Sequence, residues 1–317
     1  MKRIGKYKID FVIPLHTHNI LFPLVIETVI EFYSPRTIYI ITSTTEIEKL
    51  KEQVPQWNTK QTKISYVEEE TFFQYRYHKN LEKIKKWYTY KDEKSREFGW
   101  WYQQIMKIGA VYRIPKLSTP FIIWDADLIP LQKWTLYPSF KIPHFHFALL
   151  QDREKNDFNR KQYSCSLYEL LKLPEIRPIR SKIEGGSFIS HHFVFYPHII
   201  RCFIRYIEKI HHCTSQKPWF RVILQLSKKY YRFSEYKNIA TFMSYFFPKK
   251  IHYHSFLYYG KNGERILEPE ESLSFIRDLK KNISPHKNHI SLRSFNHYLY
   301  FKYEQPPTYI QVENSSC

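Results

Sequence analysis

The sequence predicts an α/β protein in which helices flank a parallel sheet, and three observations support this prediction. Short apolar segments rich in β-forming residues recur about thirty residues apart in the first part of the chain. Segments with helical periodicity lie between them. A later apolar segment, Phe121–Trp124, ends in two aspartates that flank one alanine. Strands that alternate with helices pair in parallel through right-handed crossovers.

The first part of the chain contains the regular alternation. Strands are predicted at residues 9–14, 37–42 and 63–67. Residues 21–34, LFPLVIETVIEFYS, fit a helix between the first two strands. Residues 45–54 fit a shorter helix that Thr44 or Thr45 would cap.

A longer helix is predicted at about residues 99–112. Trp100, Gln104 and Lys107 recur on one face of it, so that an indole, an amide and an ammonium group could act together. The neighbouring Trp101 is predicted to be a core residue. The alternative for Lys107 is an ordinary solvated lysine.

The second part of the chain is less regular. Residues 151–182 read as a mixed, charged segment, and residues 269–282 as a polar helix. A strand is predicted at 145–150, and residues 185–196 begin with the Gly185–Gly186 pair before an apolar run. Helices are predicted at about 197–212, 217–229 and 235–247.

Composition narrows the function only partly. The net charge of +19 and the pI near 9.5 suit a nucleic acid, an anionic membrane surface or a phosphorylated substrate. The four cysteines are widely spaced without a CxxC pair, which favours a reducing compartment over a disulfide framework. The sequence contains no apolar run long enough to predict a signal peptide or membrane helix, so membrane contact is expected to be peripheral.

Asp125 and Asp127 are the strongest chemical signal. They lie where a buried strand would emerge at the carboxyl edge of a parallel sheet, the edge at which such sheets bind ligands. Alternate residues of an extended chain point the same way, and hard oxygen ligands favour Mg²⁺ or Mn²⁺. Such an ion could bridge two phosphates. The alternative is that one aspartate caps a turn before Pro130 and the other is solvated.

Four ordered segments resemble a group of GT-A glycosyltransferases of bacteria and large DNA viruses, over most of residues 9–254. These segments are FGWWYQQIMKIGAV, TPFIIWDADLIPL, GGSFISHHFVFY and RFSEYKNIATFM. The resemblance implies a GT-A (Rossmann-like) mixed sheet flanked by helices, in one large domain. It implies a nucleotide-sugar half at 1–130, ending in the DxD motif, and an acceptor half at 131–317.

The resemblance also implies an activity: transfer of a sugar from a nucleotide-diphosphate sugar, with a UDP-sugar favoured, to a hydroxyl of a glycan or lipid-linked saccharide. Mn²⁺ or Mg²⁺ would be the cofactor. The expected location is the cytoplasm, with peripheral contact at a membrane, or the host cytoplasm if the source is viral.

Donor-site roles follow from the same resemblance. The loop after the first strand would contact the nucleobase and ribose through Pro14, Leu15, His16 and Thr17. The remaining donor-binding residues would be Trp100, Gln104, Lys107 and Asp125. For His16, a surface loop histidine is an equal alternative.

The metal would be held by Asp125, Asp127 and a third, C-terminal ligand, His254. Solvated loop histidines are the alternative for His254 and its neighbour His252. The acceptor would be bound by Gly186, Ser187, His191 and His192, although one of two adjacent histidines on a strand must face the core.

Glu235 would be the catalytic base of an inverting reaction, and a helix-capping role is the alternative. The family pattern has an acidic residue two positions later, where this chain has Lys237. This departure concerns acceptor recognition.

Two other function classes compete. A nucleic-acid-binding protein would use the positive charge and the aromatic residues, but these residues lie in apolar runs and no nucleic-acid-binding motif is present. A Mg²⁺-dependent phosphohydrolase or nucleotidyltransferase would also use paired aspartates, but would want more carboxylates and a Gly-rich phosphate loop.

Overall fold

The computed structural model describes most of the chain up to residue 255 and separate parts of the region that follows. The described residues are 9–18, 21–52, 57, 61–88, 97–134, 136, 145–151, 157–175, 186–230, 232–255, 264–266, 271, 274, 275, 277–279, 281, 295, 298, 299, 302, 307 and 309–312.

The described elements are numbered in chain order. The strands are β1 (Asp10–Pro14), β2 (Thr37–Thr42), β3 (Lys63–Glu68), β4 (Phe121–Trp124), β5 (Leu128–Pro130), β6 (Phe145–Gln151), β7 (Gly186–Ser187), β8 (His192–Phe195), β9 (Ile251–Ser255), β10 (Glu264–Ile266) and β11 (Tyr309–Val312). The helices are α1 (Phe22–Tyr33), α2 (Thr44–Lys51), α3 (Gln74–Tyr77), α4 (Leu81–Lys85), α5 (Glu97–Arg113), α6 (Asp157–Leu171), α7 (Pro197–Ile210), α8 (Trp219–Leu226) and α9 (Glu235–Phe246), with a 3-10 turn at Pro248–Lys250.

The chain forms two compact units, each assembled from separated segments. The first contains Met1–Val67, Ser118–Trp134 and Tyr259–Cys317. The second contains Glu68–Leu117 and Thr135–Tyr258. The functional halves expected at 1–130 and 131–317 stay a prediction.

The first unit is built on a parallel arrangement of strands in the order β3, β2, β1, β4. The central strand β1 pairs in parallel with β2 and with β4, so that Asp10 lies opposite Thr37 on one side and Phe121 on the other. Every residue of β1 and β4 is buried. Helices α1 and α2 follow β1 and β2, as crossover connections require. The α/β architecture expected from the sequence is confirmed.

A smaller sheet of the first unit begins directly after the two aspartates. Its strand β5 pairs antiparallel with β11, which pairs in parallel with β10. The chain therefore turns sharply between β4 and β5 and enters a different sheet.

The second unit is built on helices with an aromatic core. The rings of Phe73 and Phe220 stack at 4.2 Å, and those of Trp101 and Phe233 at 5.5 Å. Trp101 is fully buried, which confirms its predicted core role. The second unit also contains a three-stranded sheet. In it, β6 runs parallel to β9 and antiparallel to β7.

Most predicted elements are found close to their expected bounds, with two corrections. Neither Thr44 nor Thr45 caps α2; Ser43 does, and its hydroxyl accepts a hydrogen bond from the Glu46 amide at 3.2 Å. Helix α6 lies within the segment interpreted as mixed and charged. Among its described side chains, the buried apolar ones are Leu167, Leu170 and Leu171, near the end of the helix.

Two expectations concern other parts of the chain. A polar helix is expected at 269–282, and the residues described there, 271, 274, 275, 277–279 and 281, are helical. Among the described helices, none combines the length and the apolar character needed to cross a membrane.

Candidate metal and nucleotide-sugar site

Asp125 and Asp127 lie in a tight turn at the carboxyl end of β4. The strand itself ends at Trp124, and β5 begins at Leu128. Each aspartate offers a carboxylate oxygen, and these atoms lie within 4.8 Å of each other. Both side chains are half-buried, so they are partly shielded from water while still reachable.

Three hydrogen bonds hold this turn. The indole N–H of Trp124 donates to the Leu128 carbonyl at 2.9 Å, and the Leu128 amide donates to the Asp125 carbonyl at 3.2 Å. The Val312 amide of β11 donates to the Asp127 carbonyl at 3.2 Å. The backbone that carries both carboxylates is therefore fixed from both sides.

The aromatic packing beneath the turn adds to this rigidity. The Trp124 ring is fully buried and lies 5.9 Å from Phe11, 5.8 Å from Tyr33 and 5.8 Å from Trp134. Ring pairs at such distances contribute beyond their buried area. Trp124 thus has a structural role beneath the aspartates.

The start of β4 is fixed by a buried carboxylate on β1. Asp10 is fully buried, and its Oδ2 accepts a hydrogen bond from the Ser118 amide at 2.8 Å. The Asp10 amide in turn donates to Ser118 Oγ at 2.8 Å. The Arg36 guanidinium binds the same carboxylate through both of its oxygens. Arg36 thus holds Asp10 in place, and Asp10 in turn holds Ser118, which begins the segment that leads to the aspartates.

The two carboxylates come together in a different way from the one that the sequence predicts. The expectation was that both carboxylates point one way because they alternate on an extended strand. The structure instead brings them together by a turn, since β4 stops one residue before Asp125. The pair still fits a cation, because oxygen ligands about 2.0–2.6 Å from one Mg²⁺ or Ca²⁺ ion can be up to about 4–5 Å apart.

The loop after β1 has a buried base and an exposed tip. Pro14 and Leu15 are buried, and the Leu15 amide donates to the Ile41 carbonyl at 2.8 Å. His16 and Thr17 are exposed. Their contact with a nucleotide stays a prediction.

His18 anchors the far side of this loop, which the sequence reading missed. Its Nδ1 lies 2.7 Å from Glu46 Oε2, and Lys49 donates to Glu46 Oε1 at 2.6 Å. Burial raises the pKa of Glu46, but the hydrogen bonds from Lys49 and His18 outweigh it and lower the pKa to about 2. The spacing of His18 and Glu46 along the chain carries no sequence signal for this contact.

In the second unit, the predicted face of α5 contacts the start of α9. Lys107 Nζ donates to Glu235 Oε1 at 2.6 Å, and the Gln104 side-chain oxygen accepts from the Glu235 amide at 3.0 Å. Lys107 also lies over the Tyr236 ring, 4.8 Å from its centre. The structure therefore brings together residues that the sequence analysis assigned to two different roles.

This arrangement bears on the role of Glu235. Its side chain is 3% exposed and paired with an ammonium group that is equally buried. The Lys107 ammonium occupies Oε1, one of the two oxygens that a base would offer to an acceptor hydroxyl. Ser234 caps α9 through a bond from the Lys237 amide at 3.3 Å, so the capping role of this segment is present. The geometry favours Glu235 as a residue that positions α9.

Trp100 differs from the other two residues of this face. It is half-buried, while Gln104 and Lys107 are buried. Its ring lies 5.9 Å from the Arg232 guanidinium, within the second unit. Of the three predicted wall residues, Trp100 is thus the most accessible.

The adjacent histidines at the start of β8 face different environments, as expected. His192 is buried, and its Nδ1 lies 2.8 Å from the Ser190 carbonyl oxygen. The Ser190 hydroxyl donates to the His192 carbonyl at 2.6 Å. His191 is half-buried and has a left-handed backbone, with φ 57°. Only His191 therefore has a side chain placed for ligand contact.

The remaining predicted positions, Gly186, Ser187 and His254, lie on strands β7 and β9. Gly186 and Ser187 pair through their backbones with Gln151 and Leu150. His254 lies on β9, and its side chain, like that of His252, lies outside the described part of the structure. The roles assigned to these residues stay predictions.

Lys237, where the family pattern has an acid, is buried in the second unit. Its ammonium lies 3.8 Å from Glu175 Oε1 and 4.6 Å from the centre of the Tyr163 ring. Lys237 therefore has a carboxylate and an aromatic ring as partners within the second unit.

A family model described as a family of unknown function (DUF6492) matches residues 6–141, which include β1 and both aspartates. A search among curated proteins finds no match.

Several solved structures are similar. Mouse xyloside xylosyltransferase 1, in its apo form, has 10% identity and a TM-score of 0.43, covering 89% of this chain and 96% of that one. Core-mannan synthase A from Aspergillus fumigatus, in its Mn/GDP form, has 11% identity and a TM-score of 0.49, covering 80% and 74%. The nucleoside-diphosphate-sugar pyrophosphorylase from Vibrio cholerae has 10% identity and a TM-score of 0.41, covering 84% and 99%.

Proposed function

We propose that this protein is a metal-dependent glycosyltransferase of the GT-A type. Asp125 and Asp127 would hold Mn²⁺ or Mg²⁺ against the diphosphate of a nucleotide sugar, with a UDP-sugar favoured. The sugar would pass to a hydroxyl of a glycan or lipid-linked saccharide.

The observation that carries this proposal is the carboxylate pair at the end of β4. Its oxygens lie within 4.8 Å, in a turn fixed by Trp124 and by the Val312 amide. Ligands of open parallel sheets bind beyond the carboxyl ends of the strands, which is where this turn lies. Two half-buried oxygen ligands on a rigid turn are suited to a hard divalent ion.

A divalent ion bound there would neutralise charge on the phosphates and stabilise the departing nucleotide diphosphate. The aspartates supply two ligands. His254, the third ligand implied by the resemblance, stays a prediction.

Nucleobase contact would fall to the loop after β1. Its exposed tip, His16 and Thr17, follows a strand that pairs directly with β4. The anchor between His18 and Glu46 would hold this loop in place. The proposed donor site is thus carried by adjacent strands of one sheet.

The acceptor side is proposed from the second unit. The resemblance implies acceptor roles for Gly186, Ser187, His191 and His192, and of the two histidines His191 is the better placed, because His192 is buried. The inverting mechanism with Glu235 as base also stays a prediction, and the pairing of Glu235 with Lys107 favours a positioning role instead.

The direct test is calorimetry with UDP-, GDP- and dTDP-sugars, with and without Mn²⁺. We expect Mn²⁺-dependent binding of one nucleotide class by the wild-type protein and its loss in Asp127→Asn, since one ligand carboxylate becomes a neutral amide. Glu48→Gln removes one negative charge from an exposed site of the same unit and should bind normally.

Two results would contradict the proposal. If wild type and Asp127→Asn bound the nucleotide sugar equally well with Mn²⁺, the proposed metal site would be wrong. Mn²⁺-dependent cleavage or synthesis of the nucleotide diphosphate, without sugar transfer to any acceptor, would favour the phosphohydrolase or nucleotidyltransferase class.

A further inference from the structure

One surface of the second unit combines exposed aromatic rings with closely spaced cations, and the proposed donor site makes no use of it. We call it the basic-aromatic face. Its residues are Tyr75, Arg76, Arg113, Arg201, Arg205, Lys209, Tyr245, Phe246, Lys249 and Lys250.

Helix α7 forms the middle of this face. Arg201, Arg205 and Lys209 follow one another at four-residue intervals, so they lie on one side of the helix, and all three are exposed. The opposite side, which includes Phe203 and Ile207, is fully buried. The cationic stripe is thus held outward by the core packing of the same helix.

Helices α3 and α5 extend the face on one flank. The Arg201 guanidinium donates to the Val111 carbonyl at 3.3 Å, which joins α7 to the end of α5. Arg76 lies over the Tyr112 ring, 4.0 Å from its centre. Next to it, Arg113 lies 5.8 Å from the centre of the Tyr75 ring, and Tyr75 is 88% exposed.

The end of α9 extends it on the other flank. The Phe246 ring lies 5.0 Å from Tyr206 of α7, yet Phe246 is 48% exposed, and Tyr245 is 41% exposed. The 3-10 turn that follows carries Lys249 and Lys250.

The charge of this face is strongly one-sided. Seven of its ten residues are cations. Glu208 of α7 is the acid described beside them, since Arg76 and Arg205 are close enough to act on its carboxylate. A surface of this kind attracts polyanions. Binding of a polyanion to it should weaken as salt is added, because salt screens the charges.

We propose that the basic-aromatic face binds the surface of a membrane that contains anionic lipids. The cations would meet the headgroups, and the exposed rings would enter the interfacial layer, where aromatic side chains are favoured. This proposal is independent of the nucleotide-sugar site.

The packing of the rings favours a membrane over a nucleic acid. Stacking on bases needs an open ring face. The Phe246 ring is packed against Phe242 and Tyr206, with ring centres 4.8 Å and 5.0 Å away. Its exposed part is therefore an apolar edge, which suits shallow insertion between headgroups.

The test is cosedimentation of the full chain with vesicles of phosphatidylcholine alone or mixed with phosphatidylserine. We expect binding to the mixed vesicles only, weakened by salt. Arg205→Glu/Lys209→Glu should weaken it by about tenfold or more, because charge near the surface contributes directly to the affinity. Tyr75→Ser/Tyr245→Ser, which changes no charge, should also weaken it.

The matched control is Lys63→Glu/Lys133→Glu, which makes the same change in net charge at exposed positions of the first unit. Its vesicle binding should stay within about threefold of wild type, because the face itself is intact. Nucleotide-sugar binding measured in parallel should be unchanged in all three double variants.

Three results would overturn the proposal. The first is no binding of wild type to mixed vesicles, and the second is equal loss in the face variant and the control. The third is tighter binding to a single-stranded oligonucleotide that is lost in the same face variants, which would make a nucleic acid the partner.

Discussion

Lys107 and Glu235 form an ion pair inside the second unit, with 2.6 Å between Nζ and Oε1 and both side chains buried. The pair joins α5 to the first turn of α9. Gln104, one turn before Lys107, strengthens the same junction by accepting from the Glu235 amide. The residue that sequence reasoning selected as a base is therefore also a structural contact between two helices.

The substitution Glu235→Gln distinguishes these roles. We expect a loss of about 3 kcal/mol in the free energy of unfolding, because the buried Lys107 ammonium loses its countercharge. Chemical denaturation measures this loss. Lys107→Met/Glu235→Gln should recover most of the stability, since no buried charge remains.

Transfer kinetics complete this test. If Glu235 positions α9, kcat of the folded variant should fall by less than about tenfold and should recover in the double variant. Removal of a general base typically costs about 10²–10⁴-fold in rate. A loss of that size that persists in the double variant would restore Glu235 as the base.

Glu46 predicts a pH-dependent stability. Its pKa in the folded protein is about 2, below its ordinary value of 4.5, so folding favours the ionised form. The stabilisation is fully present above about pH 5 and is lost as the pH falls through about 2. We expect wild type to exceed Glu46→Gln by about 2–3 kcal/mol at pH 7, with a smaller difference at pH 3.

Urea denaturation at the two pH values measures this difference. Glu48→Gln, on the same helix, is the control, because its carboxylate is exposed and its partner Lys51 is exposed too. A constant difference between wild type and Glu46→Gln from pH 7 to pH 3 would contradict the assigned pKa.

The contact between Asp10 and Ser118 gives a prediction for the first unit. Asp10→Asn keeps the size of the side chain but removes the charge that Arg36 binds, and we expect a loss of about 2–4 kcal/mol in unfolding free energy. Because Ser118 leads into β4, Mn²⁺ affinity should also fall. Arg36→Gln leaves the fully buried Asp10 carboxylate without its cation, whereas Asp10→Asn leaves a partly exposed guanidinium, so Arg36→Gln should cost at least as much. A clearly smaller cost for Arg36→Gln would show that the serine contact provides most of the stabilisation.

The sequence predicted the alternating strands and helices of the first unit because each buried strand is a continuous apolar run. Strands β1, β2 and β4 show this pattern, and the apolar run of β4 ends where Asp125 begins. The pattern also predicted one inward-facing histidine of the pair at the start of β8. These features depend on local composition and periodicity.

Contacts between distant segments could not be predicted in this way. Asp10 and Ser118 are 108 residues apart, and Lys107 and Glu235 are 128 apart. A buried lysine resembles a solvated one in sequence, so Lys107 was interpreted as a surface or substrate-binding residue. The turn that joins the two carboxylates likewise depends on β11, which comes from the far end of the chain.

Trp124→Phe tests whether the rigid turn sets metal affinity. The substitution keeps an aromatic ring beneath the aspartates but removes the indole N–H that donates to the Leu128 carbonyl. We expect a loss of about 2–3 kcal/mol in unfolding free energy, from the smaller ring and the missing hydrogen bond. The free carbonyl loosens the turn, so Mn²⁺ affinity measured by calorimetry should fall by about tenfold, as for other residues that orient metal ligands. Trp134→Phe is the matched control, since Trp134 is a buried neighbour 5.8 Å from the Trp124 ring and lies outside the turn. It should lose similar stability yet bind Mn²⁺ normally, and an equal loss of affinity in both variants would mean that packing beneath the site, rather than the hydrogen bond, orients the carboxylates.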